Sequence, residues 1–194
     1  MMVSSYVCPQ CKMVYSHEEY LKDRFCPKCG TFLKIHQKPR GKKYWLFQAN
    51  PYTYRIYDWW KNHPNHEDIL WSIRQYSKEV RKGDLGGIWL SGQNAGIYAI
   101  VELASNPRTI ERTAEEKEYW VDRKELLKPS KRAPLKYIKR LFDSPISRKY
   151  CLEDEVLSDM NILKQAQGTV FRLRKKHWDR INEITSHSER YSRV

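Results

Sequence analysis

Leu85-Gly86-Gly87-Ile88-Trp89-Leu90-Ser91-Gly92-Gln93-Asn94-Ala95-Gly96-Ile97-Tyr98-Ala99-Ile100-Val101-Glu102-Leu103-Ala104 holds two apolar runs separated by a polar, glycine-bounded pentapeptide. Short apolar runs closed by Gly and Asn read as strands joined by a turn. The second run is apolar almost throughout, so both its faces are expected to be covered. Gly86 and Gly87 inside a strand mark a bulge or a place where another backbone comes close.

On the N-terminal side, Tyr44–Ala49 is an aromatic strand that Pro51 helps to end. Aromatic residues at helical spacing predict a helix over 53–62, then a strand at Ile69–Ile73 and a short helix over 74–81. On the C-terminal side, Tyr119–Lys124 reads as the start of a strand, 128–149 as an irregular basic segment broken by Pro129, Pro134 and Pro145, and 168–173 as a late strand. A helix over 176–184 and a polar tail over 186–194 close the chain. Strands separated by single helices without βαβ alternation predict an α+β domain, a curled and partly closed barrel with helices across its openings.

Four of the five cysteines fall as Cys8-Pro9-Gln10-Cys11 and, fourteen residues later, Cys26-Pro27-Lys28-Cys29-Gly30. This pairing points to a structural Zn2+ held by four thiolates, with no position open for catalysis. Gly30 suits a left-handed turn after the second knuckle. Disulfides would require an oxidising compartment, for which the N-terminus gives no export signal. Residues 1–37 are assigned to this zinc ribbon, 38–43 to a linker and 44–185 to the barrel. Cys151 is expected to be a buried small hydrophobe.

With 36 basic and 23 acidic residues the net charge is +13, which favours a polyanionic partner. Eight basic residues against one acid lie between Lys128 and Lys149. No run approaches the ~18 apolar residues of a membrane span. A cytoplasmic monomer with no membrane partner is the expectation.

Several motifs, in order, resemble the EVE domain, a branch of the PUA-like superfamily related to YTH domains: Tyr44-Trp45-Leu46-Phe47, Asn50-Pro51, Trp71–Tyr76, Lys82-Gly83-Asp84, Trp89–Gly92, Asn94–Ile100 and Gly168–Leu173. The resemblance covers about residues 43–185. It implies a PUA-like barrel that reads a modified base, chiefly 5-methyl- or 5-hydroxymethylcytosine in DNA, in a prokaryotic DNA-modification or defence setting with room for an effector protein as partner. An RNA-binding module acting on tRNA or another structured RNA is the alternative, DNA being favoured.

A flipped base needs an aromatic platform and polar groups at its edge. Trp71, which ends a strand just before a turn, is the first choice of platform, and Trp45 and Trp89 serve equally as platform or core. Asn50, Ser72 and Ser91 lie beside these strands and are candidates for the base edge. Arg74 and Gln75, at the start of the expected helix, are candidates for phosphate, with Lys43, Lys82, Asn94, Lys136, Lys139 and Arg140 extending the rim. His63 and His66 suggest a nuclease, but no second acidic cluster stands nearby, so no catalytic residue is assigned.

Overall fold

The computed structural model describes residues 5–36, 41–127, 130–165 and 167–191. The chain divides into two compact units at Gly41/Lys42; residues 37–40, the end of the expected ribbon and the first half of the expected linker 38–43, lie outside the described residues. In the first unit, β1 (Ser5–Val7) is the middle strand of a three-stranded antiparallel sheet with β2 (Val14–Tyr15) and β3 (Lys34–His36). A helix, α1 (His17–Lys22), starts at a capping box in which Ser16 and Glu19 satisfy each other's backbone N–H. Its small core is Tyr6, Cys8, Tyr15, Cys26 and Leu33.

The second unit is an α+β half-barrel. Its sheet runs β11 (Val170–Leu173), β4 (Tyr44–Ala49), β6 (Leu85–Leu90), β7 (Gly96–Leu103), β9 (Lys131–Arg140), β5 (Asp68–Ile73), with β10 (Ile146–Ser147) beside β7 and β8 (Arg108–Thr109) beside β9. Among the described residues only the β4–β6 pair is parallel. Alternation along β4 sends Trp45 and Phe47 into one core and Leu46 into the other. The first core holds Trp71 and α2 (Ile56–Asn62); the second holds Trp89 and, from α7 (Lys175–Tyr191), Trp178 and Ile181.

Gly86 explains the close β4–β6 approach. A Cβ there would lie 2.4 Å from the Trp45 carbonyl oxygen. Gly86→Ala is therefore expected to destabilise the barrel by about 1–3 kcal/mol, through forced backbone movement, as a lower urea midpoint. An unchanged midpoint would mean that the two strands separate without penalty.

Four expected elements differ. Residues 74–81 form turns, not a helix, because Tyr76 takes φ 55° and the Gln75 side chain is spent on the backbone N–H of Thr169. Residues 119–124 do not start a strand: Trp120 makes a single bridge to Tyr54, and α4 (Arg123–Leu127) follows. The basic segment contains the ten-residue strand β9. Pro134 is tolerated because its carbonyl accepts from Ala104 at the end of the β7 ladder, so the missing N–H falls where pairing stops. The tail is helical as far as Tyr191.

Candidate nucleic-acid interface and metal site

The curled sheet does not close: among the described residues its two outer strands, β5 and β11, do not pair with each other. A cavity of about 310 Å³ opens in this seam. One wall comes from Ile69, Leu70, Trp71 and Ser72 of β5; the facing wall comes from Gln48 and Ala49 of β4 and from Gly168 and Thr169 ahead of β11. Backbone bonds from Arg55 to Tyr119 and from Val121 to Thr53 tie two loops together, bringing Tyr54 and Trp120 to the third side.

Trp71 is only 7% exposed, yet it borders this cavity. None of the ring–ring contacts among the described residues involves it. Trp120 is flanked by Tyr54 and by the Arg112 guanidinium, 4.9 Å from its ring centre. Two buried polar atoms of the lining, Trp120 Nε1 and Thr169 Oγ1, have no hydrogen-bond partner among the described residues. Such atoms are costly unless something fills the site and pairs with them. Burial holds the Tyr54 phenol far above its ordinary pKa, so it stays protonated.

An ionic group lies beneath. Arg132 of β9 is 1% exposed and pairs with Glu116 of α3 (Ala114–Glu118). Arg132 also donates to the carbonyl of Leu70, next to Trp71. Arg112 stands 3.8 Å from the same Glu116 carboxylate and donates to Ser72.

Of the residues expected from the sequence, Trp71, Asn50, Ser72 and Arg74 meet around this cavity. Asn50 Oδ1 accepts from the Tyr52 N–H, shaping the turn. Three expected base contacts belong elsewhere. Trp45 is fully buried, with its indole N–H held by Asp84 at 2.9 Å. Trp89 lies in the other core, because alternation along β6 turns it away from Ile88 and Leu90. Ser91 donates to the Ala49 carbonyl.

The expected phosphate rim is largely engaged in the fold. Gln75 accepts from Thr169, and Lys43 Nζ pairs with Glu79 at 3.1 Å. Lys139 donates to the Thr185 carbonyl, and Arg140 to the carbonyls of Pro64 and His66. Lys136 is exposed and reaches Glu67 at 3.7 Å; Lys82 and Asn94 are exposed but do not line the cavity. Trp120, Tyr54 and Thr169 were missed, although Tyr119-Trp120 was visible as an aromatic pair between polar segments.

In the first unit the four cysteine sulfurs lie within 4.8 Å of one another, a set that could hold a metal ion. Each knuckle ends on a left-handed residue, Lys12 at φ 60° and Gly30 at φ 69°. The Cys11 N–H donates to Cys8 Sγ, and the Tyr15 hydroxyl lies 3.1 Å from Cys26 Sγ. The hydrogen bond between Cys29 and Thr31 brings Cys29 down to about 6, while Cys11, beside Cys29, is pushed up to about 12. Four sulfurs this close cannot all ionise without a cation among them. A tetrahedral site with ~2.3 Å bonds would space them about 3.8 Å apart, in keeping with the cluster.

The chain has several structural relatives. A hypothetical protein from Leishmania major aligns over 78% of this chain and 99% of its own, with TM-score 0.58 and 18% identity. Atu2648 from Agrobacterium tumefaciens aligns over 73% and 92%, with TM-score 0.53 and 17% identity. Human THYN1, solved in complex with 5-methylcytosine-containing DNA, aligns over 74% and 97%, with TM-score 0.52 and 10% identity. No curated protein matches the sequence. Residues 43–184 match the model of the EVE domain, and through them this chain belongs to the EVE domain family.

Proposed function

We propose that this chain binds nucleic acid and reads a single base, turned out of its strand, in the cavity beside Trp71. The observation that carries the reading is a small cavity bordered by an indole unstacked, and by two buried polar atoms unpartnered, among the described residues. At about 310 Å³ it sits at the lower end of ligand cavities, room for one heterocycle. Stacking returns about 1–3 kcal/mol per base, comparable with the few kcal/mol needed for extrusion. The fold shared with THYN1, whose complex contains 5-methylcytosine DNA, supports 5-methyl- or 5-hydroxymethylcytosine in DNA as the base read. Ile69 and Leu70 offer apolar contact to a base substituent.

Recognition rather than catalysis is part of the proposal. His63 contacts the Trp59 carbonyl through Nδ1 and Glu115 through Nε2, which leaves neither nitrogen open for a metal. The four-cysteine site is assigned to structural zinc, since four thiolates close the coordination sphere.

The test is a competition titration of one oligonucleotide carrying modified cytosine, plain cytosine, or the RNA backbone. Trp71→Leu retains apolar filling but removes the π face. It should lower affinity for the modified DNA about 5- to 150-fold, collapse the preference over plain DNA, and leave weak, salt-sensitive binding. Retained preference would place the base elsewhere, and tighter binding to the RNA would change the substrate class. Trp120→Phe and Thr169→Val should leave thermal stability unchanged or raised, yet weaken modified-base binding roughly 2- to 10-fold each. Lower stability would show these atoms serving the fold instead.

A further inference from the structure

The ribbon hairpin 24–34 keeps two large aromatic rings outside its core. Phe25 and Phe32 face each other in an isolated antiparallel bridge. Alternation turns their neighbours Cys26 and Leu33 inward, both at most 2% exposed, and leaves Phe25 and Phe32 50% and 49% exposed. The two rings stand edge to face, 5.5 Å apart at 78°. A unit with a five-residue core would be stabilised by burying them, and it does not.

The surroundings are mainly cationic. Arg24, Lys28 and Lys34 are exposed on this hairpin, and no acidic residue occurs from Arg24 to Lys34. Glu18 and Glu19 are in the first turn of α1, outside the hairpin, and the one bordering acid, Asp23, is turned onto the Phe25 N–H at 2.9 Å, which leaves three cations against one carboxylate around the rings. Exposed aromatic faces interleaved with cations match the chemistry of an unpaired strand, whose bases need π surfaces and whose phosphates need positive charge. An acidic protein partner would use the cations but would not require two open rings beside them.

We propose that the ribbon hairpin is a second nucleic-acid contact, in which Phe25 and Phe32 stack unpaired bases while Arg24, Lys28 and Lys34 hold the flanking phosphates. The proposal rests on the reading of the chain as a nucleic-acid binder. It adds affinity without sequence or modification preference, because every base has a π face. Blunt duplex offers the rings nothing to stack on, so their contribution is confined to single strands and overhangs.

The experiment uses the full chain with metal bound and a fluorescent single-stranded oligonucleotide, its blunt duplex, and versions of each with and without 5-methylcytosine. Phe25→Ser with Phe32→Ser should weaken single-strand binding at least tenfold, change blunt-duplex binding less than twofold, and leave the modified-to-plain ratio unaltered. Arg24→Gln, Lys28→Gln and Lys34→Gln together should weaken both and flatten the salt dependence of log Kd. Metal content is measured in each variant, and lost metal moves the test to the single changes Phe25→Ser and Phe32→Ser. Unchanged single-strand affinity in metal-loaded variants would overturn the proposal, as would lower barrel stability with unchanged binding, which makes the rings an internal contact. A collapsed modified-to-plain ratio on Trp71→Leu alone concerns the barrel cavity, so the two readings fail separately.

Discussion

Cys26→Ser should abolish metal binding and the structure of residues 5–36 together, while residues 42–191 keep their native fold. The ribbon core has five residues, and two of them, Cys8 and Cys26, are themselves metal candidates. Apolar burial on that scale cannot offset the ordering of thirty residues, so a metal held by the four cysteines would supply the balance. Binding of this type contributes about 10–16 kcal/mol in small zinc domains. Amide spectra should lose the ribbon resonances and retain the barrel set. Thiol reactivity gives an independent count. After chelation four cysteines should react at once; the fifth, Cys151, is buried, which pushes its thiol up to about 12, so it waits for barrel unfolding. Loss of both sets of resonances, or five fast thiols, would mean that the units share one cooperative core.

What the sequence disclosed followed its periodicity. Cysteine spacing located the four-cysteine cluster, and the runs at 44–49, 85–91 and 97–104 became β4, β6 and β7. Alternation could also have separated the tryptophans. Trp45 and Phe47 share a face, and Trp89 points opposite to Ile88 and Leu90, which removes it from the Trp71 side. Local pattern misled where long-range partners took over. Pro134 argued against a strand, yet its missing N–H coincides with the end of the β7 ladder. Gln75 looked like a helix start, but its side chain is used by Thr169, 94 positions away. Trp120 entered the cavity through a bridge to Tyr54 that no local signal encodes. The basic residues were read by charge alone; Lys139 and Arg140 instead fasten carbonyls of other segments.

Glu116→Ala should destabilise the barrel by about 3–5 kcal/mol, because it leaves the Arg132 charge buried without its counter-ion. Arg132 would retain only the carbonyls of Glu111 and Leu70, at 3.3 and 3.4 Å. An exposed pair would be worth about 1 kcal/mol or less and would fade with salt; this one is 1% and 9% exposed, so its contribution should persist from 0.1 to 1 M salt. Glu116→Gln should fall between the wild type and Glu116→Ala, since an amide oxygen still accepts from the guanidinium. Glu116→Leu combined with Arg132→Met should recover much of the loss, because removing both charges removes the desolvation penalty. The same change reaches the base site: Arg132 holds the Leu70 carbonyl beside Trp71, and Glu116 lines the cavity. The double variant should therefore regain stability ahead of base discrimination. Urea midpoints and competition titrations on the same three proteins separate the two effects. A loss below 1 kcal/mol for Glu116→Ala would mean that water reaches Arg132 and that the floor of the cavity is wet.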